Sequence, residues 1–221
     1  MPIRIVTIFL ASFLLEYNYF LVGEIMYEVE IKFRVDDIEM FTQQLAEMGV
    51  NFTETAVEEI DKFYLHPQRD FSLTDECLRL RLRKFVDGHE EKFLTYKGAK
   101  LDKETKTRRE LEIQIEDNIT LELILDTLGF KTVDSIRKFR RQSEIIIDGT
   151  VIELLLDFVP DLVDEKNNNS GNFVEIETIA SESDLESKRQ LILEFAKKLN
   201  LAESIRNSYL SLIRQQRQKT R

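Results

Sequence analysis

The sequence predicts an α+β fold in which about eight antiparallel β-strands, most of them joined as hairpins, are accompanied by a few helices. The first observation is a strict alternation of apolar and charged residues, as in YEVEIKFRV at 27–35, which is the period of a half-buried strand. The second is a pair of Asp-Gly turns, Asp87-Gly88 and Asp148-Gly149, each lying between two such runs. These patterns predict an antiparallel sheet and leave open whether it is flat or closed into a barrel.

The first half of the chain is predicted to contain five strands and one helix. The strand at 27–35 is followed by a helix at 36–50, in which Asp36 or Asp37 is the N-cap and Gly49 ends the last turn. Strands are predicted at 56–65, 77–85, 91–98 and 105–115, with a polar loop at 66–76.

The second half is predicted to begin with a helix at 117–130, which starts at Asp117 or Asn118 and ends at Gly129. Strands at 135–147 and 150–159 then form a hairpin, and a polar loop at 161–172 leads to a last strand at 173–180. Helices at 183–201 and 202–217 complete the chain, with Ser and Asp or Glu near their starts as caps.

Composition limits the class of protein. The 221 residues carry 31 Lys and Arg against 41 Asp and Glu, a formal charge of −10, which argues against a general nucleic-acid-binding protein. The single cysteine, Cys77, forms no internal disulfide, which fits a reducing, cytoplasmic location. The two histidines lack the spacing of metal ligands, and no Gly-rich phosphate loop is present.

The first 25 residues form an apolar N-terminal extension. Its apolar run, Ile5 to Leu15, is shorter than the ~20 residues that a membrane-spanning helix needs. Because Met26 stands directly before the first predicted strand, we expect the functional chain to begin there and residues 26–216 to form a single domain. The alternative is a weak membrane anchor, and no stable membrane association is expected.

The polar faces of the predicted strands carry charges at every second position. Solvent exposure would explain this in a one-sided sheet, but like charges stacked along one strand repel one another. An E-x-E pair also recurs on three strands, so a closed barrel with a polar interior would gather these groups around one axis. The residues concerned are Glu28, Glu30, Lys32, Arg79, Arg81, Arg83, Lys97, Arg108, Glu110, Glu112, Lys138, Arg140, Asp157, Glu175 and Glu177.

Charges of both signs in one cavity indicate a polyphosphate-metal site. Unpaired charges are not stable in a dry cavity, so the interior must hold water, metal ions and a highly charged ligand. Arginine and lysine bind phosphate oxygens, whereas carboxylates bind Mg²⁺ or Mn²⁺, which can bridge to phosphate. A plain anion pocket would not need the glutamates.

These motifs resemble those of the CYTH superfamily, the triphosphate tunnel metalloenzymes, over residues 27 to about 213. The resemblance rests on E-x-E-x-K at 28–32, the arginines at 79, 81 and 83, the K-G pair at 97–98, R-x-E-x-E at 108–112, K-x-R at 138–140, and F-x-E-x-E at 173–177. The pair Ser208-Tyr209 also fits. Within the superfamily, YEVEIKFRV and the segment at 61–83 are similar to the class IV adenylate cyclase branch. The loop at 161–172 is longer than the family's usual short turn, which affects the expected shape of the tunnel mouth.

The resemblance implies an eight-stranded antiparallel tunnel with flanking helices, in which the Arg/Lys set binds triphosphate and the Glu set binds divalent metal. It implies that Glu28, Glu30 and Lys32 are catalytic, and that Lys32, Arg79, Arg81, Arg83, Lys97, Arg108, Lys138 and Arg140 bind substrate. The implied metal ligands are Glu28, Glu30, Glu110, Glu112, Asp157, Glu175 and Glu177, with Mg²⁺ or Mn²⁺ as the cofactor.

The expected activity is that of a metal-dependent enzyme converting ATP to cyclic AMP and pyrophosphate. The alternative is a triphosphatase acting on inorganic tripolyphosphate or thiamine triphosphate, and a non-catalytic polyphosphate-binding module is a third possibility. The expected partner is therefore a nucleoside or inorganic triphosphate, with no nucleic acid, and a homodimer is possible.

Overall fold

Eight antiparallel strands form the framework of the protein in a computed structural model that describes residues 6–7, 25–102, 104–164 and 169–219. The strands are β1 (Met26–Arg34), β2 (Val57–Leu65), β3 (Cys77–Lys84), β4 (Glu90–Lys97), β5 (Arg108–Gln114), β6 (Lys131–Ile147), β7 (Thr150–Phe158) and β8 (Asn172–Ser181). Around the sheet they follow the order β6-β2-β3-β4-β5-β1-β8-β7, and β7 pairs with β6. This last pairing closes the ring, so the barrel is confirmed and the open sheet is excluded.

Strand β6 closes the barrel because it is long enough to pair with two partners. Residues 131–140 pair with β2, and residues 139–147 pair with β7. The register with β2 shifts between Phe63 and Tyr64, which marks a bulge. At the opposite side of the ring, β1 and β5 share only two residue pairs, Tyr27 with Arg109 and Glu28 with Arg108.

The main hydrophobic core lies outside the barrel, between its wall and two helices. These helices are α1 (Ile38–Glu47), capped by Asp37, and α4 (Leu185–Lys198). Val29 and Ile31 of β1 point outward and pack in one cluster with Leu45 of α1 and Ile192 of α4. Successive strand residues alternate between the two faces of the sheet. Because the helices cover the apolar face, the charged face points into the interior of the barrel.

Two further α-helices and one 3₁₀ helix lie between strands of the barrel. The four-residue helix α2 (Phe71–Thr74) lies in the segment predicted as a loop, where Asp70 accepts a hydrogen bond from Ser72 N at 2.9 Å. Helix α3 (Asn118–Thr127), capped by Asp117, covers a second apolar cluster that includes Tyr64, Leu80 and Leu125. A one-turn 3₁₀ helix spans Pro160–Leu162.

The last helix begins later in the chain than the sequence predicts. Helix α5 spans Tyr209–Lys219, so residues 202–208 of the predicted helix are not helical. Instead, Ile205 N donates to Lys32 O at 2.7 Å, and Ser204 forms a bridge with Phe33. Pairing with β1 satisfies this backbone, and Ser208 Oγ then accepts from Ser211 N at 3.2 Å at the helix start.

Within the first 24 residues the structure describes Val6–Thr7, which pair antiparallel with Ile146 and Ile145 of β6. The rest of this segment, to which the predictions of a misplaced start and a weak anchor apply, lies outside the described residues. No helix within the described part of the chain is both long and apolar enough to cross a membrane.

Candidate active site

The barrel encloses a charged cavity of about 270 Å³. Strand alternation brings almost the whole predicted set to its wall. Asp157 is buried behind the lining, while the other predicted residues line the cavity: Glu28, Glu30, Lys32, Arg79, Arg81, Arg83, Lys97, Arg108, Glu110, Glu112, Lys138, Arg140, Glu175 and Glu177. The interpretation of these faces as solvent-exposed is therefore wrong.

Three glutamates on β1 and β8 lie close enough together to hold one metal ion. Glu28, Glu30 and Glu177 each offer a carboxylate oxygen within 4.8 Å of the others. Glu30 lies directly opposite Glu177 in the β1–β8 register, which explains their proximity. Burial raises the pKa of Glu177 well above its usual value, and the neighbouring charges of Glu28 and Glu30 raise it further. A compact set of carboxylates that repel one another is a donor set suited to Mg²⁺ or Mn²⁺.

The row of glutamates continues onto the next two strands. Glu153 of β7 lies opposite Glu177, and Glu144 of β6 lies opposite Glu153. Burial, followed by the charge of Glu144, raises the pKa of Glu153 to about 7. Four adjacent strands thus place a carboxylate at matching positions.

The rest of the cavity wall holds a network of paired charges centred on two arginines. Arg81 donates to Asp61 at 2.7 and 2.9 Å, and its Nη1 lies 3.0 Å from Glu59 Oε2. Burial opposes ionisation of Asp61, but Arg81 and Arg79 outweigh it and hold the pKa of Asp61 down at about 2. Arg140 donates twice to Asp157, both at 2.6 Å. These guanidinium groups already have buried carboxylates as partners.

The other predicted metal ligands also contact cations of the protein. Glu110 pairs with Lys97, and Glu112 lies 3.6 Å from Arg79. Glu175 accepts from Arg140 at 2.5 Å and lies 3.7 Å from Lys32 Nζ. Of the seven predicted ligands, the structure brings Glu28, Glu30 and Glu177 together, and it places the remaining four in ion pairs.

Arg108 differs from the other cations that line the cavity. Among the residues that the structure describes, it is the cavity-lining cation with no carboxylate oxygen within 4.0 Å, and its buried Nε has no hydrogen-bond partner. Its side chain is 8% exposed, and it lies opposite Glu28 in the β1–β5 register. This buried guanidinium lies next to the glutamate cluster and forms no ion pair with the part of the chain that the structure describes, so it is available to an anionic ligand.

This arrangement agrees with the outcome of comparisons with known proteins. The model of the CYTH domain matches residues 26–209. The chain belongs to the CYTH family. A putative adenylate cyclase of Methanocaldococcus jannaschii is 38% identical over 192 residues, which cover 85% of this chain and 98% of that protein.

Two solved structures share the fold. The PH1819 protein of Pyrococcus horikoshii superposes with a TM-score of 0.69 at 32% identity, covering 86% of this chain and 99% of that one. A putative adenylyl cyclase from Hippeastrum, described as having a dominant triphosphatase activity, gives a TM-score of 0.56 at 17% identity. That alignment covers 86% of this chain and 96% of that chain, and it shows the likeness of the fold alone.

One side of the CYTH cavity is bounded by the start of α5. Tyr209 donates its hydroxyl hydrogen to Asp157 Oδ2 at 2.9 Å, and Lys32 Nζ lies 3.8 Å from the centre of its ring. Tyr209 also packs edge-on against Phe173 at 5.1 Å, in an apolar cluster that includes Ile213. Ser208 and Tyr209, noted in the sequence, therefore belong to the cavity wall.

Five further charged residues of the cavity did not emerge from the sequence: Glu59, Asp61, Asp75, Lys106 and Glu153. Glu153 lies four residues before Asp157, and Lys106 lies two residues before Arg108 and four before Glu110. Alternation along the strands therefore predicts that both face the same side as these residues. For Glu59 the signal was ambiguous, because Glu58 precedes it and alternation alone does not say which of the two points inward. Cys77 also lines the cavity, and burial raises the pKa of its thiol.

Proposed function

We propose that this CYTH protein is a metal-dependent enzyme that acts on a triphosphate. The observation that carries the proposal is the placement, within the one cavity of the barrel interior described above, of a three-glutamate cluster beside buried arginines and lysines. Glutamate clusters bind divalent cations, guanidinium groups bind phosphate oxygens, and a metal-triphosphate complex requires both at once.

The residues present fit a divalent metal at the glutamate cluster. Glu28, Glu30 and Glu177 would hold Mg²⁺ or Mn²⁺, because their oxygens converge and their mutual repulsion is relieved by a cation. When bound, the metal would supply charge neutralisation at phosphate oxygens.

The chain's own cations would bind and orient the phosphates. No carboxylate of the described residues lies within 4.0 Å of Arg108, so its guanidinium would provide the principal phosphate contact. Lys97 contacts both Glu28 and Glu110, and it would provide a second positive charge for the phosphates. Arg81 and Arg140 would act more through the rigidity of the ion-pair network than through the ligand.

The finer proposal that follows the named relative is an adenylate cyclase. In this reaction the ribose 3′-oxygen of ATP attacks the α-phosphorus, the bond from that phosphorus to the bridging oxygen breaks, and pyrophosphate leaves as cyclic AMP forms. The support for it is the 38% identical protein named a putative adenylate cyclase.

The second candidate is a triphosphatase, which the size of the cavity favours. Its volume of about 270 Å³ lies just below the roughly 300–1,000 Å³ of pockets that hold drug-sized ligands. Charged residues dominate the wall, so a compact inorganic triphosphate fits the cavity better than a nucleotide whose base needs an apolar surface. In this reaction water attacks the terminal phosphorus and orthophosphate is released.

One experiment separates these reactions. The purified protein is incubated with ATP, thiamine triphosphate or tripolyphosphate, each with Mg²⁺, Mn²⁺ or EDTA. Cyclic AMP with an equal amount of pyrophosphate identifies a cyclase, and orthophosphate identifies a triphosphatase. Absence of turnover with all three substrates, in a protein that binds Mn²⁺ and tripolyphosphate, would leave a binding module as the correct description.

A further inference from the structure

A lysine from outside the strands reaches into the glutamate cluster. Lys106 lies in the segment between β4 and β5, and only 4% of its surface is exposed. Its ammonium group donates to Glu30 Oε1, and it lies 3.7 Å from Glu175 Oε1. Lys106 is therefore an internal cation in direct contact with one of the three glutamates that converge in the cavity.

The backbone around Lys106 is held firmly, so its position is not a chance side-chain conformation. Lys106 N donates to Glu30 O at 2.8 Å, and Leu101 N donates to Thr107 O at 2.8 Å. Asp102 fixes the turn by accepting from Thr105 N at 2.7 Å and from Thr105 Oγ1 at 2.6 Å. The main chain of Lys106 is thus attached to the same residue that its side chain contacts, while four rotatable carbons leave the ammonium free to swing.

We propose that Lys106 is the resident counter-ion of Glu30 in the glutamate cluster. A divalent metal displaces its ammonium from Glu30, and the displaced ammonium then contacts a phosphate oxygen of the substrate. The proposal rests on the metal-dependent function proposed above. A divalent ion on Glu30 would repel an ammonium group that touches the same carboxylate, so the two cations compete. Because Lys106 remains anchored at Glu30 through its backbone, the ammonium stays within reach of a phosphate bound to that metal.

The proposal predicts effects of opposite sign on metal and on substrate. In the full chain, Lys106→Met removes the competing charge, so Mn²⁺ in the absence of substrate should bind about tenfold tighter or more, the size expected from deleting one charge near a divalent ion. The affinity for tripolyphosphate in saturating Mn²⁺ should fall, because one phosphate contact is lost. In EDTA the variant should melt below the wild type, and Mn²⁺ should raise its Tm more than that of the wild type.

Isothermal titration with Mn²⁺ alone, then with tripolyphosphate, measures both effects. Lys106→Gln serves as a second neutral variant in case Lys106→Met does not fold, and Lys106→Arg, which keeps the charge, should not gain Mn²⁺ affinity. The matched control is Lys100→Met: Lys100 comes from the same segment but pairs with Asp75 and donates to Arg206 O at 2.9 Å, so Mn²⁺ affinity should stay unchanged.

The outcomes distinguish this inference from the function on which it rests. If the wild type binds no Mn²⁺, the metal-dependent function is itself wrong and the inference fails with it. If the wild type binds Mn²⁺ but a folded neutral variant binds it no tighter, the role of Lys106 as counter-ion is wrong and the function stands. Weaker binding of both Mn²⁺ and tripolyphosphate would show that Lys106 only supports the structure.

Discussion

Arg108 and Arg81 should respond to substitution in opposite ways, although the sequence assigns both to phosphate. Arg81 makes two hydrogen bonds to Asp61 and a third contact with Glu59, whereas Arg108 contacts no carboxylate of the described residues within 4.0 Å. The perturbation is Arg108→Gln compared with Arg81→Gln. Both changes remove one charge from the cavity wall and keep a polar side chain.

The structure gives the expected magnitudes. Breaking a buried ion pair on one side costs about 3–5 kcal/mol, and Arg81→Gln should fall near the lower figure because Arg79 still lies 3.5 Å from Asp61. Arg108→Gln breaks no ion pair with a described residue, so its effect on the free energy of unfolding should be within about 1 kcal/mol. A hydrogen bond to a charged group contributes about 1.5–3 kcal/mol, so losing Arg108 should weaken tripolyphosphate binding roughly 10- to 100-fold.

Urea denaturation measures the first quantity, and calorimetric titration of tripolyphosphate with Mn²⁺ present measures the second. The titration does not depend on which reaction the enzyme catalyses. Wild-type affinity in Arg108→Gln, together with a large loss of affinity and no loss of stability in Arg81→Gln, would refute the reasoning. It would mean that the ion pairs in the cavity open at little cost when substrate enters.

Three further predictions concern the glutamates and the extension. Glu177→Gln should nearly abolish turnover and the Mn²⁺-dependent rise in Tm. In EDTA its Tm should hold or rise, because one of three mutually repelling carboxylates is neutralised. A wild-type rise in Tm with Mn²⁺ would contradict this. The pKa of Glu153 is about 7 in the folded state and near 4.5 in the unfolded state. The free energy of unfolding should therefore fall as the pH rises between these two values, by roughly 3 kcal/mol in all. In EDTA, Glu153→Gln should flatten this dependence and be the more stable form at pH 8, and equal pH profiles by thermal melting would argue against it. A chain that starts at Met26 should keep its fold and turnover, since every described residue that lines the cavity follows Met26. Loss of the melting transition or of turnover in this shortened chain would show that the extension is needed.

Most of the fold could be predicted from local sequence patterns, and the errors of that prediction were confined to short segments. Alternation at 27–35 places Val29 and Ile31 on one face and Glu28 and Glu30 on the other, and the structure keeps that division. The predicted helix at 202–217 failed at its start because Ile205 pairs with Lys32, a contact across the whole chain. Helical propensity does not report such a partner, and tertiary pairing overrides it.

The sequence by itself determined which face of each strand is charged, because side-chain direction in a strand has a period of two and depends only on neighbouring residues. Together with the family motifs, this identified the charged lining of a closed barrel. Which charges meet was decided only by the tertiary structure, since register between distant strands sets those distances. Register places Glu177 beside Glu30 and leaves Arg108 without an ion pair among the described residues, while Arg81 is fully engaged by Asp61. Residues of the same type at equivalent alternating positions thus acquire different roles. Coulombic and hydrogen-bond energies depend on interatomic distances of a few ångströms, and the sequence pattern does not specify those distances.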